Sequence, residues 1–335
     1  MAELAVSFPA PELPSCVAAL VDRFAPHDCP VVITGPIGVG KTYLARIIHE
    51  RSGRAGSFVP VPLTSLQAGF EHVTLAGHDK GAYTGAHQGR GGLLAEANRG
   101  TLFLDEIGDA SVEGQRLLLE LLTERGLRRL GEERRLRFDL RFILATHIDL
   151  DTATAAGRFR EDLLSRLGHC WIHLAPLRER PEEITPLVAH YLAQFARQND
   201  QTPPRLSAEL WATLAAAPWL YNVRSLMSEC QSLATVAPRS GDLTTGHLSD
   251  RFWREIQSYV QTLPDDRSRL AYVTGVVGDR RGKAALLLGL SERSFQRRAA
   301  EGGLARIPGR PRRAGAPIVP SGNPTELILA DGMAD

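Results

Sequence analysis

Eight consecutive residues, Gly35-Pro36-Ile37-Gly38-Val39-Gly40-Lys41-Thr42, carry the first chemistry legible in this 335-residue chain. Glycines at this spacing let successive backbone N–H groups converge on phosphate oxygens, and the start of a following helix adds a favourable field. Lys41 offers a charge for the β- and γ-phosphates of a nucleotide, and the Thr42 hydroxyl offers a ligand for magnesium. The setting agrees: the apolar run PVVIT precedes the motif, and Leu44, Ile47 and Ile48 share one helical face after it. Gly35, Pro36, Gly38, Val39, Gly40, Lys41, Thr42 and Tyr43 are therefore the expected ATP contacts. Further on, Thr101-Leu102-Phe103-Leu104-Asp105-Glu106 ends an apolar run in two carboxylates. Asp105 is expected to hold magnesium through water, and Glu106 to polarise the attacking water. Alone, such a pair fits a solvated strand end equally well. Downstream of a phosphate loop it points to ATP hydrolysis.

These groups need a frame that brings strand ends together. PVVIT (30–34), FVPV (58–61), TLFLD (101–105), RFILAT (141–146) and CWIHL (170–174) read as buried strands separated by helical patterns. That alternation predicts a parallel sheet with helices on both faces. From Pro181 to about Pro238 the pattern turns helical. The fold class expected is α/β, a P-loop parallel sheet with a helical lid, followed by a small all-α helix-turn-helix domain. The expected boundaries are a helical lead-in (1–28), the α/β ATPase subdomain (29–175), the lid (176–238), a linker (239–266), the DNA-binding segment (267–307) and a disordered tail (308–335).

Composition narrows the class. Apolar residues make up 43% and charged residues 23%, an ordinary balance for a folded chain that buries sizeable cores. No stretch approaches the roughly 18 apolar residues of a membrane span, so no membrane insertion is expected. The N-terminus lacks the basic and apolar regions of a secretory signal, which points to the cytoplasm, with nucleoid association when DNA is bound. Cys16, Cys29, Cys170 and Cys230 form no CxxC pair, and neither a disulfide framework nor a zinc site is indicated. The net charge of +1 hides 12 basic against three acidic residues between Arg267 and Arg313. A basic block on a near-neutral body suggests a nucleic-acid-binding appendage.

Within that block, Lys283–Leu290 reads as a short helix and a Gly-containing turn. Ser291 then caps a second basic helix in which Phe295 faces inward. This is the pattern of a helix-turn-helix. Ser291, Glu292, Arg293, Gln296 and Arg297 are the expected DNA-facing residues of the second helix; Arg280, Arg281 and Arg298 are expected to reach phosphates.

Between the two nucleotide motifs lies Gly81-Ala82-Tyr83-Thr84-Gly85-Ala86. It resembles the GAFTGA loop of the AAA+ activators of sigma-54 RNA polymerase, the bacterial enhancer-binding proteins. The run GGLLAEANRGTLFLDEIGD resembles the family's stretch from that loop to the second nucleotide motif. The resemblance covers roughly residues 28–305. It implies that Gly81, Ala82, Tyr83, Thr84, Gly85 and Ala86 contact sigma-54. It also implies that Arg160 and Arg166, in a segment similar to FREDLxxRL, reach the ATP of a neighbouring subunit. Arg224, in a segment similar to WPGNVR, becomes the lid arginine that senses nucleotide; Thr146 and His147 fall on the first sensor strand. The C-terminal segment resembles the Fis-type DNA-binding domain. Implied cofactors are ATP and Mg2+. Implied partners are the sigma-54 RNA polymerase holoenzyme, double-stranded upstream DNA, further copies in a ring, most simply a hexamer, and an inhibitory or co-activator protein in trans. With no receiver segment before residue 28, the organisation resembles the phage-shock type of activator.

Three departures from the family pattern, at four positions, matter. Pro62 stands where an Asn usually can hold the catalytic Glu, and proline cannot make that bond. His147 replaces the Asn of Ala-Thr-Asn. Leu220 and Tyr221 replace a Pro-Gly pair, which should alter the lid turn. Two outcomes follow: an ATP-hydrolysing activator, or a DNA-binding, ATP-binding regulator with degenerate hydrolysis.

Overall fold

Strands that are apolar on both faces can only pair where helices cover them twice, and five of these runs do so. In the computed structural model, which describes residues 13–66, 70–78, 90–128, 135–237, 241–278 and 280–301, the strands are Val31–Thr34 (β1), Phe58–Pro62 (β2), Gly77–His78 (β3), Arg90–Gly91 (β4), Thr101–Asp105 (β5), Gly126–Arg128 (β6), Arg135–Arg137 (β7), Arg141–Thr146 (β8) and Cys170–His173 (β9). Five form one sheet in the order β2-β5-β8-β1-β9, every pair parallel. Val31 stands opposite Ile143 on one side and Cys170 on the other. The expected strands are all present. β2 tolerates Pro60 and Pro62 because it is the edge strand. β3 pairs with β4 and β6 with β7, each antiparallel. Gly81, Ala82, Tyr83, Thr84, Gly85 and Ala86, between β3 and β4, lie outside the described residues, as do residues 1–12 and 308–335.

The chain divides into two compact units, Leu13–Ala175 and one whose described residues begin at Pro176. In the first, the helices are Ser15–Phe24 (α1), Lys41–Arg51 (α2), Glu71–Ala76 (α3), Leu93–Glu96 (α4), Val112–Glu124 (α5), Leu150–Ala155 (α6) and Glu161–Arg166 (α7). Period-two alternation divides the sheet's side chains. Val31, Ile33, Phe103, Ile143 and Ile172 meet Val17 and Val21 of α1 and Leu44 and Ile48 of α2. Val32, Leu102, Leu104, Phe142 and Leu144 face Leu117, Leu118 and Leu121 of α5. One charge sits inside this packing. The Arg141 guanidinium, 2% exposed, donates to the carbonyls of Phe24 (2.8 Å) and Ala25, the last turn of α1. A cation at a helix C-terminus offsets the macrodipole and satisfies carbonyls the helix leaves open.

The second unit is helical: Ile184–Gln198 (α8), Ala208–Ala216 (α9), Asn222–Val236 (α10), Asp250–Thr262 (α11), Asp266–Val277 (α12), Arg281–Leu287 (α13) and Glu292–Glu301 (α14). The segment expected as a linker, 239–266, carries α11. Its Phe252, Trp253, Ile256 and Val260 are buried in one core with Leu226 of α10 and Val273 of α12. Two polar residues of the segment cap helices: Ser249 accepts from the Phe252 amide at 3.1 Å at the start of α11, and Asp265 accepts from the Ser268 amide at 2.7 Å at the start of α12. The same core continues through Ala284 and Leu287 of α13 to Phe295 of α14. Thr213 of α9 donates to the Val276 carbonyl at 3.1 Å, and the Tyr272 hydroxyl donates to the Ala216 carbonyl at 3.2 Å. α12 is thereby bonded to α9 as well as packed on it.

Candidate nucleotide site

The phosphate loop leaves β1 and re-enters as α2 through three glycines at positive φ, Gly35, Gly38 and Gly40. Gly40 precedes α2 at φ 108°. At Gly35 a Cβ would stand 2.5 Å from the Leu174 carbonyl oxygen, at the end of β9. Val39 is anchored in the core beneath the loop, while Thr42 and Tyr43 are exposed on the first turn of α2. Lys41 is 6% exposed; its ammonium donates to the Gly35 carbonyl at 3.0 Å and the Pro36 carbonyl at 3.5 Å. It also lies 3.2 Å from Glu106 Oε1. A buried ammonium folded onto its own loop, with a carboxylate as counter-ion, is a charge awaiting an anion.

Glu106 follows the last residue of β5 and adopts φ 57° and ψ 52°, a left-handed backbone that costs a side-chain-bearing residue about 1 kcal/mol or more. That turn carries its carboxylate toward β1 and β8. Oε2 accepts from the His147 amide at 3.1 Å and from His147 Nδ1 at 2.7 Å. Because a carboxylate only accepts, Nδ1 carries the proton. Burial pushes the Glu106 carboxyl up, but the His147 hydrogen bond and the Lys41 charge together outweigh it and hold the group below the usual carboxylate range. Asp105 Oδ1 accepts from the Glu106 amide at 3.1 Å. Thr146 is fully buried, its hydroxyl accepting from the Ile148 amide at 3.0 Å.

Lys41, Asp105, Glu106 and His147 thus come together at the strand ends, as their motifs imply. Asp109, the last residue of the GGLLAEANRGTLFLDEIGD run but given no role there, joins them: its carboxylate is 3.8 Å from His147 Nδ1, and the ligand atoms of Glu106, Asp109 and His147 all lie within 4.8 Å of one another. Gln115 is a second residue the motifs miss. Only 3% exposed, it donates to the carbonyls of Ala110 (3.1 Å) and Arg158 (3.0 Å) and accepts from the Arg160 amide at 3.0 Å. It sets the entry to α7. A polar side chain on the apolar face of α5 was the available signal.

The arginines are placed differently. Arg160 forks onto Asp162 at 2.9 and 2.7 Å, and Arg166 is exposed in the last turn of α7. In the helical unit Arg224 is exposed on the first turn of α10. The turn before it differs from a Pro-Gly turn: Tyr221 has φ −102°, which needs no glycine, whereas Trp219 and Asn222 take positive φ. Asn222 accepts from the Leu177 amide at 2.8 Å, and Glu255 of α11 accepts from the Leu220 amide and the Ser225 hydroxyl. On α14, Ser291 accepts from the Ser294 amide at 3.2 Å and Phe295 is 3% exposed, the cap and inward ring expected. Glu292, Arg293, Gln296 and Arg297 are exposed, as is Arg281 on α13. Arg280 and Arg298 instead pair with Glu209 and Asp266, both at 2.7 Å. Each would have to exchange a carboxylate for a phosphate.

Comparison with known proteins accords with this geometry. The sigma-54 interaction domain family matches residues 12–173, and the AAA+ ATPase lid domain family matches residues 178–262, through the end of α11. The sigma54-dependent transcriptional activator SfnR of Pseudomonas putida is 41% identical over 62% of this chain and 57% of its own length. The pathogenicity-locus regulatory protein WtsA of Pantoea stewartii is 38% identical over 66% of this chain and 69% of its own. Among solved structures, NtrX of Brucella abortus in complex with ATP superposes with a TM-score of 0.67 at 26% identity, covering 89% of this chain and 70% of that one. The chain spans about half the length of several curated relatives it matches. With the interaction domain and the lid following one another as the two units require, the chain belongs to the sigma-54-dependent AAA+ transcriptional activators.

Proposed function

We propose that this chain hydrolyses ATP and couples turnover to remodelling of the closed complex of sigma-54 RNA polymerase, while its C-terminal helices hold double-stranded DNA upstream of the promoter. The observation that carries the reading is Glu106, poised between Lys41 and His147 beside a glycine-built phosphate cradle. Lys41 would exchange Glu106 and its loop carbonyls for phosphate oxygens, releasing Glu106 Oε1. The carboxylate stays ionised at neutral pH, the form that accepts a proton from an attacking water. Magnesium, when bound with ATP, lowers the electrostatic barrier to attack on the phosphate; Thr42 and Asp105 are the residues that would hold it. Arg160 would leave Asp162 and, with Arg166, neutralise charge on a neighbouring subunit's γ-phosphate, in a ring taken as a hexamer. Tyr83 and Thr84 would press on sigma-54. Arg224 would report the nucleotide state to the lid.

The contact of His147 with Glu106 favours one second reading, in which the carboxylate is held out of action and the protein regulates by binding DNA and ATP without opening promoters. Transcription from a sigma-54 promoter with ATP, and with a non-hydrolysable analogue, separates the two. The proposal expects open complexes with ATP alone. Thr84→Ala should keep ATP turnover and DNA binding while losing promoter opening, since about 1–2 kcal/mol at a transient contact is enough to release it. Wild-type protein that turns over ATP yet never traps sigma-54 would reject the activator reading.

A further inference from the structure

Cys29 and Cys170 are separated by 141 residues, yet their sulfur atoms lie 3.0 Å apart. Parallel pairing brings them there: Cys170 opens β9 opposite Val31, and Cys29 sits two residues before Val31. The pair is at the far end of β1 from the phosphate loop, half-buried, and takes no part in the nucleotide chemistry. The gap is within about 1 Å of a disulfide bond length of roughly 2.05 Å. The other two cysteines differ: Cys16 is exposed on α1, and Cys230 is sealed in the helical core, where burial pushes its thiol up and keeps it inert.

We propose that Cys29 and Cys170 are an oxidation site that closes reversibly to a disulfide, with hydrogen peroxide or a related hydroperoxide as oxidant. The Cys29 sulfur attacks one peroxide oxygen; an S–O bond forms, the O–O bond breaks, and the departing hydroxide takes up the thiol proton as water. The Cys170 sulfur then attacks the Cys29 sulfur. The S–S bond forms as the S–O bond breaks, and the leaving hydroxide removes the Cys170 proton as a second water. Two thiols are oxidised and one peroxide is reduced to two waters. Cys170 suits the second role, because burial and its contact with Cys29 push its thiol up to about 11, so it keeps its proton until the partner is oxidised. Arg141 acts electrostatically on the Cys170 sulfur and favours its thiolate, an opposing but smaller influence. Dithiol pairs of this kind in reducing compartments are usually transient and redox-sensing, in keeping with reversibility.

Closure ties the start of β1 to the start of β9 and encloses nearly the whole α/β unit in one covalent loop, so its effect falls on stability rather than on turnover. The test uses the full reduced chain treated with one equivalent of hydrogen peroxide. Peptide mass spectrometry should find Cys29 linked to Cys170 within one chain, and titratable thiols should fall from four to two. The melting midpoint of the α/β unit should rise by roughly 5–10 °C and return with dithiothreitol. Cys29→Ser and Cys170→Ser should each abolish the link and the shift; Cys16→Ser should change neither. Cys29 resting as sulfenic or sulfinic acid while Cys170 remains alkylatable would overturn the proposal, as would a link through Cys16. Thiol counting on the wild-type chain decides the matter even where a variant folds poorly, and it is indifferent to whether the protein hydrolyses ATP.

Discussion

The two units solve opposite problems. In the α/β unit, apolar strands exist to bring a few polar groups to one end, and almost every distinctive contact there is electrostatic: Lys41 to Glu106, Glu106 to His147, Arg160 to Asp162. In the helical unit the distinctive feature is apolar continuity, a single core running from Leu187 of α8 through Ile256 of α11 to Phe295 of α14. Chemistry in the first is sensitive to single atoms. The second is sensitive to volume.

The sharpest way to break this contrast is at the polar site. Glu106→Gln should lower ATP turnover by about 10³-fold, the scale of a lost general base, while nucleotide binding survives. Lys41→Ala should instead remove binding itself. Equal turnover in both variants and wild type would dissolve the site. Next in size is Ile256→Ala, which should cost about 3 kcal/mol by opening a cavity. If one core unites α8–α14, chemical denaturation should show the lid and C-terminal helices losing structure together; a separate, unshifted transition for α12–α14 would restore an independent domain.

His147→Ala should reduce kcat about 10-fold with little change in KM, and His147→Asn should recover most of it, because an amide can donate the same bond to Glu106. A rise in turnover would assign His147 a restraining role and favour the second reading above. The smallest effect concerns Glu229, whose carboxylate accepts from the Ser249 amide and hydroxyl at the start of α11. Burial raises its pKa, so its contribution to folding is fully present below the unfolded carboxylate value and is lost as pH rises through the raised one. Glu229→Gln should therefore flatten, slightly, the fall in helical-unit stability as pH rises above the ordinary carboxylate range. Melts across that rise provide the check.

What could be read without coordinates follows from how local each requirement is. The phosphate loop announces itself because its backbone demands glycine at Gly35 and Gly40, and the strands do so because burial on both faces leaves unbroken apolar runs. α11 falls in the segment expected as a linker, because Gly, Pro, Ser and Asp around Phe252–Val260 dominate the local composition while its apolar residues find their partners only in the shared core. Asp109, Gln115 and Arg141 matter through partners that the fold brings near; a polar residue on an apolar helix face marks Gln115, but the sequence does not name the partners of any of the three. The sulfur pair is the extreme case: no spacing rule reaches across 141 residues, and only the pairing of β1 with β9 reveals it.

The bonds between α9 and α12 give the helical unit a mechanical character. Tyr272, with Thr213, pins α12 to α9, and the shared core carries that connection on to α13 and α14. A torque applied near Arg224 on α10 would reach the exposed face of α14 without slack. Under the proposed DNA-binding role, duplex held by that face would move with the lid as a load on a lever, and tension in the DNA would resist the lid's motion.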